Sequence, residues 1–362
     1  MKKIICTALA FSVALSGITP IFSTQAKAKS KSVTVQELTN ELNAKERNDY
    51  TLKEAESLFV NFLKSKNINF EVGSKEFTDY AITQFYSDDI DEDLLNTPHY
   101  DVITAYISEY VYAYETTIGT IDNEILDNLI KPSLRNTLNS DVFADIAIDD
   151  EKKDFNERLN IQKQKTIGEI EHEIANDETG ENENKTNRLI TLASTYSVSK
   201  AKAYAKKWYD GRNSSYEKYS NDCTNFTSQI LRAGGKSMKK PSTINNVLNH
   251  DTDYWYYTQI SRVGTLLNAR STSWSVVSDF YAYWSQKQST KSSTSKSTLI
   301  SYADEGDMIQ FKKEGYTRYS HTMFVYDKAD GTLYLSGHTD NYLKRNFKNI
   351  SKAWVKYRVI KF

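Results

Sequence analysis

The chain has 362 residues, with 46 Lys+Arg against 47 Asp+Glu and a formal charge of −1, which argues against a histone-like or wholly basic nucleic-acid binder. A mean hydropathy of −0.61 argues against a polytopic membrane protein, and the length suits two or three domains with cores of their own. The neutral total hides a division: residues 29–195 carry 17 basic and 34 acidic side chains, net −17, and residues 196–362 carry 26 and 13, net +13.

Residues 1–28 read as a signal peptide. Lys2 and Lys3 precede an apolar run over 4–15, and Ala26-Lys27-Ala28 has the small-x-small form of a cleavage site. Thr7 and Ser12 break that run, which is too short for a spanning helix, and nothing later is apolar enough to cross a bilayer. The expectation is a secreted chain, free or associated with the cell wall, with no membrane span after cleavage. Cleavage would remove Cys6 and leave Cys223 alone, so no disulfide could form within one molecule. Exported proteins tend to pair their thiols or lose them. A single survivor is either a small buried hydrophobe or a working nucleophile.

Residues 29–176 read as an acidic helical domain. Thr51-Leu52-Lys53-Glu54 has capping-box form, and Ala55, Leu58, Phe59, Phe62 and Leu63 follow at helical spacing. Asp101 stands where a cap would begin a second helix, with Val102, Ala105, Tyr106, Glu109 and Ala113 along one side. A third amphipathic stretch covers 150–172. Such stripes are the inner faces of a small bundle. Asp89, Asp91 and Asp93 alternate like calcium-loop ligands, but Leu94 stands where that loop needs Gly and Tyr100 where it closes on Glu. They read as a solvated acidic loop, and His99 and His172 have no partner at metal spacing. Residues 177–195 include a run without apolar side chains and read as a flexible linker.

Residues 196–362 hold all five Trp. A helix over 201–208 ends at Asp210-Gly211-Arg212-Asn213. The next follows Asn221-Asp222, either of which can cap it, with Phe226, Ile230 and Leu231 on its buried side and Gly234-Gly235 closing it. Cys223 then lies in the first turn, where backbone N–H groups and the helix dipole favour a thiolate and can hold an oxyanion. A thiolate needs an imidazole partner. Residues 306–311, 320–327 and 331–338 read as strands, the last two joined as a hairpin through Lys328-Ala329-Asp330-Gly331. His321 and His338 fall at its open end. Pairing Asp327 with Thr332 sets His338 directly opposite His321. A two-residue Asp330-Gly331 loop sets Asp340 opposite and His338 diagonal, whereas a three-residue loop with a bulge turns His338 to the other face. The fold class expected is α+β.

The run Asp222-Cys223-Thr224-Asn225-Phe226-Thr227-Ser228-Gln229 with Ala233-Gly234-Gly235, followed in order by Thr272-Ser273-Trp274, Gly306-Asp307 and Ser320-His321, resembles the putative amidase domain family of Gram-positive bacteria over about 196–362. The resemblance implies kinship with papain-like cell-wall hydrolases such as NlpC-type and CHAP domains. It implies a nucleophilic Cys223 on a helix packed on an antiparallel sheet, His321 as base and His338 as the third residue. Asp340 or Asn341 would take that third role in another register. Asp222 and Asn225 match the motif as support for the helix turn. Amide hydrolysis would then run through a thioester, with neither metal nor organic cofactor.

The substrate so implied is peptidoglycan, through its muramoyl–alanine or peptide bonds, and a basic domain suits anionic wall polymers such as teichoic acid. Trp255, beside Tyr254, Tyr256 and Tyr257, is either a sugar platform or core. The Ser/Thr/Lys-rich residues 287–298 read as a solvent-exposed insertion. Two other readings remain open: a secreted cysteine peptidase or transamidase acting on proteins, and a catalytically inactive wall-binding protein. No recognition motif accompanies the +13 charge, so nucleic acid is not an expected partner. The charge division carries one more expectation: the acidic half either docks on the basic half and masks the site, or stands apart as a spacer.

Overall fold

Thr51 begins the first helix as its pattern requires. In the computed structural model, which describes residues 45–88, 90–117, 153–179, 196–262 and 265–362, its hydroxyl accepts the Glu54 amide while the Glu54 carboxylate accepts the Thr51 amide. Two donors that a helix start leaves open are thereby satisfied. The expected signal peptide, and the expected linker beyond its first three residues, lie outside the described residues.

The described helices of the N-terminal region are α1 (Leu52–Ser65), α2 (Lys75–Tyr86), α3 (Glu92–Leu95), α4 (Tyr100–Glu115), α5 (153–163) and α6 (Ile167–Thr179). Helix α1 buries Leu52, Ala55, Phe59, Phe62 and Leu63. Helix α4 is buried almost all round, as a central helix must be. Phe59, Phe77, Tyr106 and Tyr110 interlock with centroids 5.1–6.5 Å apart. Three local expectations change. Asp101 sits inside the first turn of α4, and His99 takes the N-cap position. The stretch 150–172 is divided between α5 and α6, because Thr166 and Glu169 make a second reciprocal cap. Asp91 caps α3 through the Asp93 and Leu94 amides instead of lying idle in a loop.

The C-terminal region runs α7 (Val198–Trp208), α8 (Cys223–Ala233), β1 (Leu248–Asn249), β2 (Tyr257–Arg262), β3 (Thr265–Ser271), α9 (Thr272–Ser275), α10 (Val277–Ser285), β4 (Thr290–Ser293), α11 (Lys296–Tyr302), β5 (Met308–Lys313), β6 (His321–Ala329), β7 (Thr332–Gly337), β8 (Tyr342–Asn346) and β9 (Trp354–Ile360). The architecture is α+β, with a helical N-terminal region and a sheet-rich C-terminal one. The larger sheet is antiparallel with order β4-β9-β5-β6-β7-β8, and the smaller has order β1-β3-β2. One face of the larger sheet sends Met308, Phe324 and Ile360 into a core with Phe226 and Ile230 of α8. The other sends Ile309, Phe311, Met323 and Val325 against Leu299 and Ile300 of α11 and Phe347. Alternate residues of a strand reach alternate faces.

Trp255 and Trp274 are fully buried in the first of these cores, and the Trp255 indole donates to the Ser228 hydroxyl at 3.1 Å. The Trp255 side chain is therefore packing, not a sugar platform. Residues 287–298 are no insertion either: they supply β4, an edge strand along β9, and the start of α11.

The hairpin resolves the register. Asp330 and Gly331 both have positive φ, 55° and 67°, as a two-residue type I′ turn requires, and Ala329 pairs with Thr332. That register holds to Asp327 and Tyr334. Tyr326 is then an extra residue, after which Val325 pairs with Leu335 and Phe324 with Ser336. The bulge moves the open end into the register that turns His338 to the face opposite His321.

The helical region closes over the end of the sheet where β5 stops and β6 starts. The Arg318 guanidinium donates twice to Glu109 of α4, with Nε–Oε1 at 2.9 Å and Nη2–Oε2 at 2.8 Å, and the Thr317 hydroxyl adds a third bond at 2.6 Å. Lys313 Nζ and the Tyr316 hydroxyl donate to the Gln84 carbonyl in the last turn of α2, at 2.7 and 2.8 Å. The Tyr112 hydroxyl donates to Asp279 at 2.9 Å. Gly315, with φ +78°, passes so close to α4 that a Cβ would strike Thr104 Oγ1 and come within 2.9 Å of Asp101 Cα.

Candidate active site

Asp222 precedes α8, yet its side chain does not cap the helix. Stronger partners hold it. Its Oδ2 accepts His338 Nδ1 at 2.6 Å and Arg212 Nε at 3.1 Å, and its Oδ1 accepts Asn225 Nδ2 at 2.7 Å. Asn225 Oδ1 in turn accepts the Trp274 indole at 2.8 Å. The His338 ring lies flat on Phe226, 3.6 Å away and 10° from parallel, and its Nε2 donates to the Trp208 carbonyl at 2.8 Å. A carbonyl only accepts, so Nε2 is the donor in that bond. His338 is thus held between α7, α8 and the end of β7, and the network fixes where α8 begins.

Cys223 stands in the first turn of α8 with its side chain buried. Its sulfur lies 3.7 Å from the Thr224 hydroxyl, which meets Thr322 Oγ1 of β6 at 3.3 Å. Burial pushes the thiol up to about 12. The Thr322 backbone N–H and the Thr224 hydroxyl oppose that rise, while Glu115 and Asp222 add to it. The thiolate expected at a helix start is therefore absent from this arrangement, because removal from water outweighs the helix.

His321 opens β6, paired with Phe311. Its ring packs beside Phe311 and lies 6.1 Å from Trp354 at 28°. Strand alternation puts it with Met323 and Val325, whereas Thr322 and Phe324 face α8. Among the described residues, Nδ1 is buried without a hydrogen-bond partner. Burial pulls its pKa down to about 4; Asp88 works against that, and Arg345 and Lys313 reinforce it. Thiol and imidazole are both neutral, and no hydrogen bond joins them among the described residues.

The structure thus brings Cys223 against the strand position beside His321, and gathers Asp222, Asn225 and His338 into one network. It does not bring His338 to His321. The expectation that His338 lies opposite or diagonal to His321 is corrected by the bulge at Tyr326, and the imidazole serves Asp222 instead. Asp340 is not opposite His321 either: it is exposed, between Thr339 and Asn341, whose positive φ values of 85° and 54° turn the chain. Asn341 accepts Arg212 Nη1 at 3.1 Å and so joins the rim of the Asp222 network.

Sequence reasoning missed the groups that the helical region brings in. Tyr86, at the end of α2, donates its hydroxyl to Glu115 at the end of α4. Burial raises Glu115 to about 7, with Asp279 adding to the rise while the Tyr86 hydroxyl and Arg270 lower it. Glu115 adds to the rise of the Cys223 thiol, and Cys223 adds to the burial that raises the Tyr86 phenol. Asp88, the residue beside the acidic run, accepts the Trp354 indole at 2.7 Å and pairs with Arg345. Nothing in the sequence sets these residues apart from other helix-end or loop positions.

Comparison with known proteins bears on the same region. Residues 195–360 match the family model described as "Putative amidase domain". That description is of an amide hydrolase, and the matched stretch contains Cys223, His321 and the Asp222 network. Over 133 residues the chain is 30% identical to an uncharacterized protein of Bacillus subtilis, YhbB. The alignment covers 36% of this chain and 37% of YhbB, so the chain spans little more than a third of that relative's length. No solved structure gives a significant match.

Proposed function

We propose that this protein is a secreted, cysteine-dependent amide hydrolase of peptidoglycan, and that the arrangement described above is its latent form. The observation that carries the reading is the position of Cys223. It lies in the first turn of α8, against the β6 residue next to His321, within the stretch that matches the amidase family. The kinship with papain-like wall hydrolases that the motifs suggest belongs to the same proposal.

Displacing α2 and α4 rehydrates the sulfur. The helix start, the Thr322 N–H and the Thr224 hydroxyl then favour the thiolate, with no burial to oppose them. His321 stands at the very start of β6 on the face turned from α8; returned to water, its side chain turns past the end of the sheet and takes up the thiol proton. The sulfur attacks the substrate carbonyl carbon, and the amide N–H groups at the start of α8 hold the oxyanion. Collapse breaks the C–N bond as the His321 imidazolium gives its proton to the leaving amine. His321 then deprotonates a water that hydrolyses the thioester and frees Cys223. His338 is a positioning residue here: through Asp222 it sets the start of α8.

Mass spectrometry of fragments released from purified walls tests the reading, with the intact chain and a Glu109→Ala chain whose helical region is loosened. New amino termini or free lactyl groups are expected, and Cys223→Ala should abolish them. Cleavage of a protein substrate with walls untouched would favour a protein-directed peptidase. Fragments unchanged by Cys223→Ala would overturn the cysteine mechanism.

A further inference from the structure

Among the described residues, Asp88 is the acid that its partner groups hold. Arg345 of β8 and the Trp354 indole N–H of β9 converge on its carboxylate, one on each oxygen, and the Ser351 hydroxyl donates to its backbone carbonyl at 3.2 Å. Trp354 is buried and the Arg345 side chain is 13% exposed. Among the described residues Asp88 is the only carboxylate paired with Arg345. Residues 196–362 thus build a guanidinium-and-indole cradle for a carboxylate but supply no carboxylate to fill it. The helical region does.

The cradle adjoins His321. The Trp354 ring lies near-parallel to the imidazole, and both Arg345 and Asp88 act on its charge. The backbone just before Asp88 crosses the same end of the sheet: Gln84 is held by Lys313 and Tyr316, and Tyr86 donates to Glu115, whose charge bears on the Cys223 thiol. One short segment therefore fills the cradle beside His321 and holds Glu115, which acts on the nucleophile. When it leaves, a guanidinium and an indole N–H lose their partner in a largely buried place, which is costly unless another acceptor arrives.

We propose that Arg345 and Trp354 form a carboxylate-binding subsite beside His321, which Asp88 occupies in the latent protein in place of a free carboxylate carried by the substrate. The ligand class is an acidic peptide or amino acid whose carboxylate flanks the scissile amide. A planar guanidinium with an adjacent N–H donor suits a carboxylate's two oxygens. The substrate half of the inference rests on the amide-hydrolase reading, whereas the existence of the subsite does not.

Acetate is the probe, and the full-length Asp88→Ala chain is the test protein. Labelled at its indole nitrogens, it should show a saturable shift of the Trp354 N–H resonance on acetate titration, assigned by its loss in Trp354→Phe. Chloride at equal ionic strength should give none. The wild type, whose cradle is filled, should shift at least tenfold less at the same acetate concentration, and Asp88→Ala/Arg345→Gln should not saturate. A folded Asp88→Ala chain without a saturable shift, or with one that Arg345→Gln leaves intact, overturns the subsite. If Asp88→Ala does not fold alone, acetate should restore folding and chloride should not; failure of acetate is equally fatal. A second readout separates the two claims. In the chain loosened by Glu109→Ala, hydrolysis of an acyl-peptide with a free carboxylate should exceed that of its amidated twin at least tenfold, and adding Arg345→Gln should erase the preference by raising KM for the acid form. Acetate binding without that preference keeps the subsite and removes its role in substrate choice, and no hydrolysis of either peptide removes the amide-hydrolase reading alone.

Discussion

The sheet-rich region satisfies its main polar network from within. Asp222, His338, Arg212, Asn225 and Trp274 all lie beyond residue 196 and bond to one another. The helical region does the reverse: Glu109, Asp88, the Gln84 carbonyl and the Tyr112 hydroxyl find partners in the other half. Groups bonded within a region remain satisfied if the two halves part, whereas groups bonded across the boundary do not. The second kind clusters at the end of the sheet that carries Cys223 and His321. The contacts that dock the helices thus lie at the same end of the sheet as the thiol and imidazole, which burial keeps neutral.

The largest effect expected falls inside the sheet-rich region. Cys223→Ala should lower wall hydrolysis by about 1,000-fold or more, measured on the loosened chain. The next falls on the boundary. Glu109→Ala leaves Arg318 buried without its anion, which should weaken docking by about 3–5 kcal/mol, read from denaturant unfolding and from protease sensitivity of α4. Gly315→Val tests the same boundary by shape, because its side chain meets α4, with added backbone strain from the positive φ. A loss of about 1–3 kcal/mol is expected from such overpacking. His338→Phe keeps an aromatic ring on Phe226 but strips Asp222 and the Trp208 carbonyl of a donor. It should cost about 1–3 kcal/mol and slow wall hydrolysis in the loosened chain without altering docking.

The smallest effect is one of pH. Burial raises Glu115 from 4.5 to about 7. Its contribution is therefore complete below about 4.5 and is lost as pH rises through 7. His321, lowered from 6.5 to about 4, works the other way: its contribution is present above 6.5 and lost as pH falls through 4. Glu115→Gln removes the first trend and leaves the second. The stability difference between wild type and Glu115→Gln should shift against the wild type between pH 4.5 and 7, as measured by thermal melts across that range. A constant difference would place Glu115 outside the buried boundary.

Some of this was legible from local chemistry. The Thr51–Glu54 cap and the α8 boundaries follow from short-range rules that need no partner, as does the hairpin over 328–331, though not which of its three loop forms is taken. The same rules would have found Thr166–Glu169, which the Glu/Lys-rich stretch around it obscured. The place of His338 was not legible, because one extra residue at Tyr326 decides which face it reaches and a bulge leaves no mark in the alternation. Trp255 turned inward because Ser228 of α8 offers its indole an acceptor, a tertiary fact. Asp88 was least legible of all. Its role depends on Arg345 and Trp354, more than 250 residues later in the chain, and in sequence it is one more acid beside an acidic run.

The most direct test of latency is the alkylation rate of Cys223 by iodoacetamide, resolved from Cys6 by peptide mass spectrometry, in the wild type and in Glu109→Ala at pH 8. Slow labelling in the wild type and a rate at least tenfold higher in Glu109→Ala are expected, with wall hydrolysis rising in step. Fast labelling of the wild type, or equal rates in the two chains, would contradict the helical region's role as the cover of the nucleophile.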